Sequence, residues 1–133
     1  MSSRFGRCVV AVMTGVGLLL AGTVWAQTPW AVPDSEKNRK SPIPVSAKVA
    51  EQGKKVARVN CVSCHGAAGL GNGPAAVALN PKPADWTSRK IQDEPDGALF
   101  WKITSGRGAM PSWKHLPEND RWALVQYIRT LKK

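Results

Sequence analysis

Acidic residues are scarce in this chain, nine against nineteen lysines and arginines, and cysteines are scarcer still, three in all. So few cysteines exclude a disulfide scaffold. At 133 residues the chain fits one domain, with no room for a separate catalytic one. No strand alternation, internal repeat or heptad run occurs, which turns the expectation toward an all-α fold.

What is present begins with Arg4 and Arg7, an apolar run from Cys8 through Val24, and Val24-Trp25-Ala26 before Gln27. This is the layout of a secretory signal peptide over residues 1–26, cut after Ala26, and it predicts export to the periplasm. The competing reading is an uncleaved membrane anchor, because the run is nearly long enough to span a bilayer, although Gly15, Gly17 and Gly22 dilute it. Cys8 would leave with the leader. Losing Arg4 and Arg7 lowers the basic count from 19 to 17 against 9 acids, a formal charge of +8. Such a surface suits an acidic protein patch, an anionic membrane face or nucleic acid, and export argues against nucleic acid. Membrane association is expected only if the leader is retained.

Residues 27–45 carry Pro29, Pro33, Pro42 and Pro44 with Lys37, Arg39 and Lys40 among them, and read as an extended basic arm rather than a core element. Trp30 either pins that arm to the domain or is exposed. Ser46 is placed to cap a helix running to Asn60, in which Gly53 is understandable if another element approaches closely. Residues 66–83 are too rich in glycine and proline for long regular structure, with one helical turn expected over Pro74–Leu79. Asp93-Glu94-Pro95 predicts a helix start and Gly106 its end, and a last helix is expected from Glu118 to Lys132 with Trp122, Val125, Ile128 and Leu131 on its apolar face.

Cys61-Val62-Ser63-Cys64-His65 is the attachment signature of a c-type haem. Two thiols three positions apart on a helical turn reach the two vinyl groups along one porphyrin edge, and the next residue offers an imidazole to the iron. A zinc half-site would need two more Cys or His ligands nearby, and a redox-active pair would want a βαβ context. The sequence offers neither. Met1 and Met13 lie in the leader, which leaves Met110, in a loop with Gly106, Gly108 and Pro111, as the candidate sixth ligand. His115 is its rival.

Over residues 46–133 the chain resembles the class I bacterial c-type cytochromes. The likeness rests on Cys61 to Pro74, read as Cys-x-x-Cys-His-Gly-x-x-Gly-x-Gly-x-Gly-Pro, and on Leu79 to Trp86, Asp96 to Trp101, Gly108-Ala109-Met110-Pro111 and Arg121 to Leu124 with Tyr127-Ile128. The resemblance implies terminal helices that cross and pack around one haem c, covalently held by Cys61 and Cys64, with iron ligands His65 and Met110. It further implies that the Pro74 carbonyl accepts a hydrogen bond from the His65 ring, that Trp86 either reaches a haem propionate or packs in the pocket, and that Gly53 meets Tyr127 or Trp122 at the helix crossing. The function it implies is one-electron transfer between redox partners, docking acidic faces onto basic residues such as Lys54, Lys55, Arg58, Lys82, Arg107 and Lys114, with no small-molecule substrate. A fixed subunit of a dehydrogenase, oxidase or nitrite reductase complex is the alternative, with the arm and Trp30 as its contact. A haem enzyme such as a peroxidase would need an open sixth site, against which Met110 stands.

Overall fold

The computed structural model describes residues 29–133, and the signal peptide expected over 1–26 lies outside them. Among the described residues the regular structure is helical, with one isolated antiparallel bridge between Arg107 and Met110.

Ser46 adopts extended backbone and its hydroxyl accepts from Val49 N at 3.2 Å, which starts the long helix Ala47–Asn60 (α2, after a single turn α1, Asp34–Lys37). Its buried stripe is Gly53, Val56 and Ala57. That stripe lies on α6, Glu118–Thr130, whose first turn carries Glu118 and Asp120 and whose last turn carries Arg129, each sign at the end the helix dipole favours. A Cβ built on Gly53 would lie 1.9 Å from Ala123 O and 2.8 Å from Leu124 N. The glycine is therefore required by contact with backbone, one turn or less from the Trp122 and Tyr127 side chains expected there.

Between these helices come α3 (Val62–His65), a 3₁₀ turn (Pro74–Ala78), α4 (Arg89–Gln92) and α5 (Asp96–Ser105). Helix α5 starts later than the sequence suggested. Glu94 precedes a proline and is pushed off helical backbone, so Pro95 serves as N-cap and Asp96 is the one acid of the first turn. Glu94 instead binds Lys102 Nζ at 2.5 and 2.6 Å from its two oxygens. The turn α4 was not expected: Arg129 of α6 reaches over to donate to the carbonyls of Ile91 and Gln92, satisfying the end of a helix too short to stand alone. The last helix stops at Thr130, two residues short of expectation.

The core gathers where α5 meets α6. Phe100 stacks on Trp122 at 4.1 Å and 12°, and the guanidinium carbons of Arg39 and Arg121 lie 4.7 and 4.8 Å from the Phe100 centroid. Arg39 belongs to the arm, so residues 29–45 are not a free extended segment. They include α1, and Trp30 meets Trp101 edge-on with centroids 6.4 Å apart. Trp30 thus pins the arm to the domain. Among the described residues no helix is long and apolar enough to cross a membrane.

Candidate functional site

Cys61 closes α2 and opens α3, so the cysteine motif is a single helical turn tied to the longer helix by Cys61 N donating to Ala57 O at 2.8 Å. The turn closes on itself through Cys64 N and His65 N, both donating to Cys61 O. It ends at Gly66, whose φ of 78° turns the chain out of the helix. Residues 66–73 then wrap back: Gly71 N donates to His65 O at 2.8 Å and Gly73 N to Cys64 O at 3.0 Å. A Cβ on Gly73 would lie 2.4 Å from Ser63 O and 2.5 Å from Val62 O. The glycines of the motif let one stretch of backbone lie directly on another.

Both thiols are free of disulfide, Cys61 buried and Cys64 partly exposed. Burial, and next the neighbouring Cys64, push the Cys61 thiol up to about 11, so it is the neutral thiol that the fold accommodates. His65 is buried too. Its Nδ1–H donates to Ala84 O at 3.0 Å, because a carbonyl can only accept. This leaves the Nε2 lone pair for a metal, and burial lowers the imidazole pKa more than the Ala84 bond raises it, which favours the neutral ligating form.

The acceptor expected for that ring was Pro74. The structure corrects this: Pro74 is exposed at the start of the 3₁₀ turn, where Gly73 has packed the chain against Val62 and Ser63, and the carbonyl within reach of Nδ1 comes from the 84–88 turn instead. Asp85 builds that turn. Its carboxylate accepts from Thr87 N and Thr87 Oγ1, both at 2.8 Å, which holds its pKa below the usual carboxylate range. Trp86 N donates to Gly69 O at 2.7 Å, and the Trp86 ring stacks on the His65 ring at 4.5 Å and 23°. Tyr127 closes the other edge of Trp86 at 6.5 Å and 89°. Ala84 carried no side-chain signal; the Asp85-x-Thr87 spacing, an Asx-turn pattern, was the available hint.

Met110 is half-buried and packs against the core cluster, its loop closed by Arg107 N to Met110 O (2.8 Å) and Met110 N to Arg107 O (3.0 Å). Its rival His115 is exposed, with its ring tilted against Trp113 at 5.6 Å. Among the described residues no three His, Cys, Asp or Glu side chains gather as a metal cluster, so the zinc reading finds no partners for Cys61 and Cys64 there. Two unpaired thiols and a neutral imidazole with Nε2 available form a donor set that fits a covalently attached haem. The basic residues named from sequence are exposed, though not all are idle: Lys82 Nζ donates to the carbonyls of Ala76 and Val77, and Lys54 lies 3.9 Å from Glu51.

Comparison with known proteins bears on this arrangement. Residues 48–128 match the family model described as cytochrome C oxidase, cbb3-type, subunit III. The chain is 30% identical over 86 residues to cytochrome c6 of Cladophora glomerata, covering 63% of this chain and 90% of that protein. Among solved structures it resembles a chain of the reducing HAO-like protein complex of Kuenenia stuttgartiensis, with TM-score 0.61, 28% identity and 70% of this chain covered. The match spans 48% of that chain.

Proposed function

Since the chain belongs to the class I c-type cytochromes, all-α electron-transfer proteins with covalent haem c, we propose that it is a periplasmic carrier whose haem is held by Cys61 and Cys64 and ligated by His65 and Met110. The leader over 1–26 would direct export, the arm over 27–45 would follow, and 46–133 would form the haem domain. When bound, haem supplies a one-electron couple. The chain supplies the rest: the α3 turn presents two thiols, Ala84 fixes the His65 tautomer, Trp86 backs the ring, and the 106–111 loop offers Met110. No substrate-binding chemistry is assigned to it. The mature charge of +8 favours partners with an acidic face.

The observation that carries this reading is the buried His65, its Nδ1 committed to Ala84 O, one residue after two unpaired cysteines. Acid–acetone extraction of protein from its native host tests it: haem remains with the chain, and the peptide spanning 61–65 carries the haem mass. Haem that extracts freely would refute covalent attachment at these residues.

A second reading is supported by the likeness to a chain of a multi-protein complex: a cytochrome fixed within a larger assembly. Sizing of native protein separates the two, because a carrier migrates alone and a subunit migrates with its assembly.

A further inference from the structure

The arm precedes the stretch matched by the family model, yet its described residues are fastened to the domain at several points. Gln126 Nε2 donates to Pro44 O at 3.0 Å, and Arg39 pairs with Glu118 at 2.7 Å. The carbonyl of Glu36 lies 2.1 Å from where a Cβ on Gly97 would stand. At the outer end Trp30 meets Trp101 of α5. Lys102 Nζ of α5 lies 5.6 Å from the Trp30 centroid, and beyond α5 the Arg107 guanidinium carbon lies 5.9 Å from it, both within reach of a cation–π attraction.

Arg107 is one side of the two-hydrogen-bond bridge whose other side is Met110. The residues between, Gly108 and Ala109, are exposed, and a Cβ on Gly108 would meet nothing within 4 Å. Among the described residues, nothing packs on Gly108 at the tip of the loop. Its far side is tied to α5 by Ser112 Oγ donating to Thr104 O at 2.7 Å and Trp113 N to Ile103 O at 3.1 Å. On the near side, Trp30 spans α5 and Arg107 at once.

We propose that Trp30 is a positioning residue for Met110: the arm is a strap whose outer ring pins Arg107, and through the Arg107–Met110 bridge the Met110 loop, against α5. This rests on Met110 being the sixth ligand. The strap sets how often the loop opens, and so how easily an outside ligand displaces the thioether, without itself touching the iron.

The test compares ferric holo-protein with its Trp30→Ala, Trp30→Phe and Arg107→Gln variants. The readouts are the far-red sulfur–iron band, the rate of cyanide binding, and helix content during denaturant unfolding. Losing one aromatic pair and two cation–π contacts should raise the open population, and with it the cyanide rate, roughly tenfold in Trp30→Ala. The band should then vanish at lower denaturant than the helix signal does. Trp30→Phe should restore most of the wild-type rate, and Arg107→Gln, on an exposed side chain outside the core, should shift it in the same direction by less. An unchanged cyanide rate in Trp30→Ala overturns the strap, as does loss of band and helix signal together at one shifted midpoint, which marks a purely structural contact. A wild type lacking the band overturns Met110 ligation and the strap with it, whereas a wild type with the band and an unaffected variant removes the strap alone.

Discussion

Gly53 of α2 and Ala123 of α6 touch through backbone: a Cβ on the glycine would stand 1.9 Å from the alanine carbonyl oxygen. Neither helix has a flexible side-chain end at that point to give way. Gly53→Ala must therefore part the two helices, and the gain of about 1 kcal/mol in helix propensity cannot offset it. Net destabilisation of about 3 kcal/mol is expected, read as a lowered denaturant midpoint. A variant as stable as wild type would mean that the helices do not cross here.

Met110→Ala should leave haem attached, because attachment depends on Cys61 and Cys64. It should abolish the far-red sulfur–iron band and admit carbon monoxide or cyanide readily. The reduction potential should fall by on the order of 0.1 V, since the soft thioether favours ferrous iron more than water or an imidazole does. Retention of both band and potential would pass the sixth position to His115 or a lysine.

Tyr127 is the only tyrosine of the chain, so its phenolate absorbance reports a single group. Burial first, and the Glu51 carboxylate second, raise its pKa above the ordinary 10. A raised folded pKa means that the folded state holds this proton more tightly than the unfolded one. The resulting stability is complete below the unfolded pKa and is lost as pH rises through the folded value. Spectrophotometric titration should find the phenol ionising late, and Glu51→Gln should bring it partway back. A phenol titrating at or below the unfolded value would contradict this packing.

Electron transfer to an acidic partner should slow as salt rises from low to moderate, since the steering field of a strongly basic chain, with nineteen lysines and arginines against nine acids, is screened over about 10 Å at 0.1 M. The second-order rate constant is the quantity to follow. A flat dependence would assign the charge elsewhere, or indicate partners already joined in one complex.

How much of this was legible beforehand depended on whether a feature is written locally. The Ser46 cap, the Cys61–His65 turn and the close approach at Gly53 follow from residue type and helical spacing, and each is found. Helix α4 and the turn α1 are not locally encoded: they persist because Arg129 reaches Ile91 and Gln92 and because Gly97 admits the backbone of Glu36. The acceptor for His65 was misplaced at Pro74 for a related reason. It is the backbone carbonyl of Ala84, 19 residues away, and every residue has a carbonyl. Trp30 could be noticed as the lone large apolar residue of its arm, but its contacts with Trp101, Lys102 and Arg107 are long-range and only a structure reveals them.

The packing of α2 on α6 also constrains the order in which the molecule can be made. Helix α2 and the cysteine turn leave the ribosome well before α6, the element that buries Gly53, Val56 and Ala57 and the last of the described helices. Until α6 arrives, α2 lacks its main docking surface, and an isolated helix of its length is marginal in water. The Cys61 thiol, buried in the finished fold, therefore stays accessible until α6 docks. Because one helix pair closes the stretch that contains Cys61, His65 and Met110, cutting the chain back into α6 should open the proposed haem site while leaving each of these three residues in place.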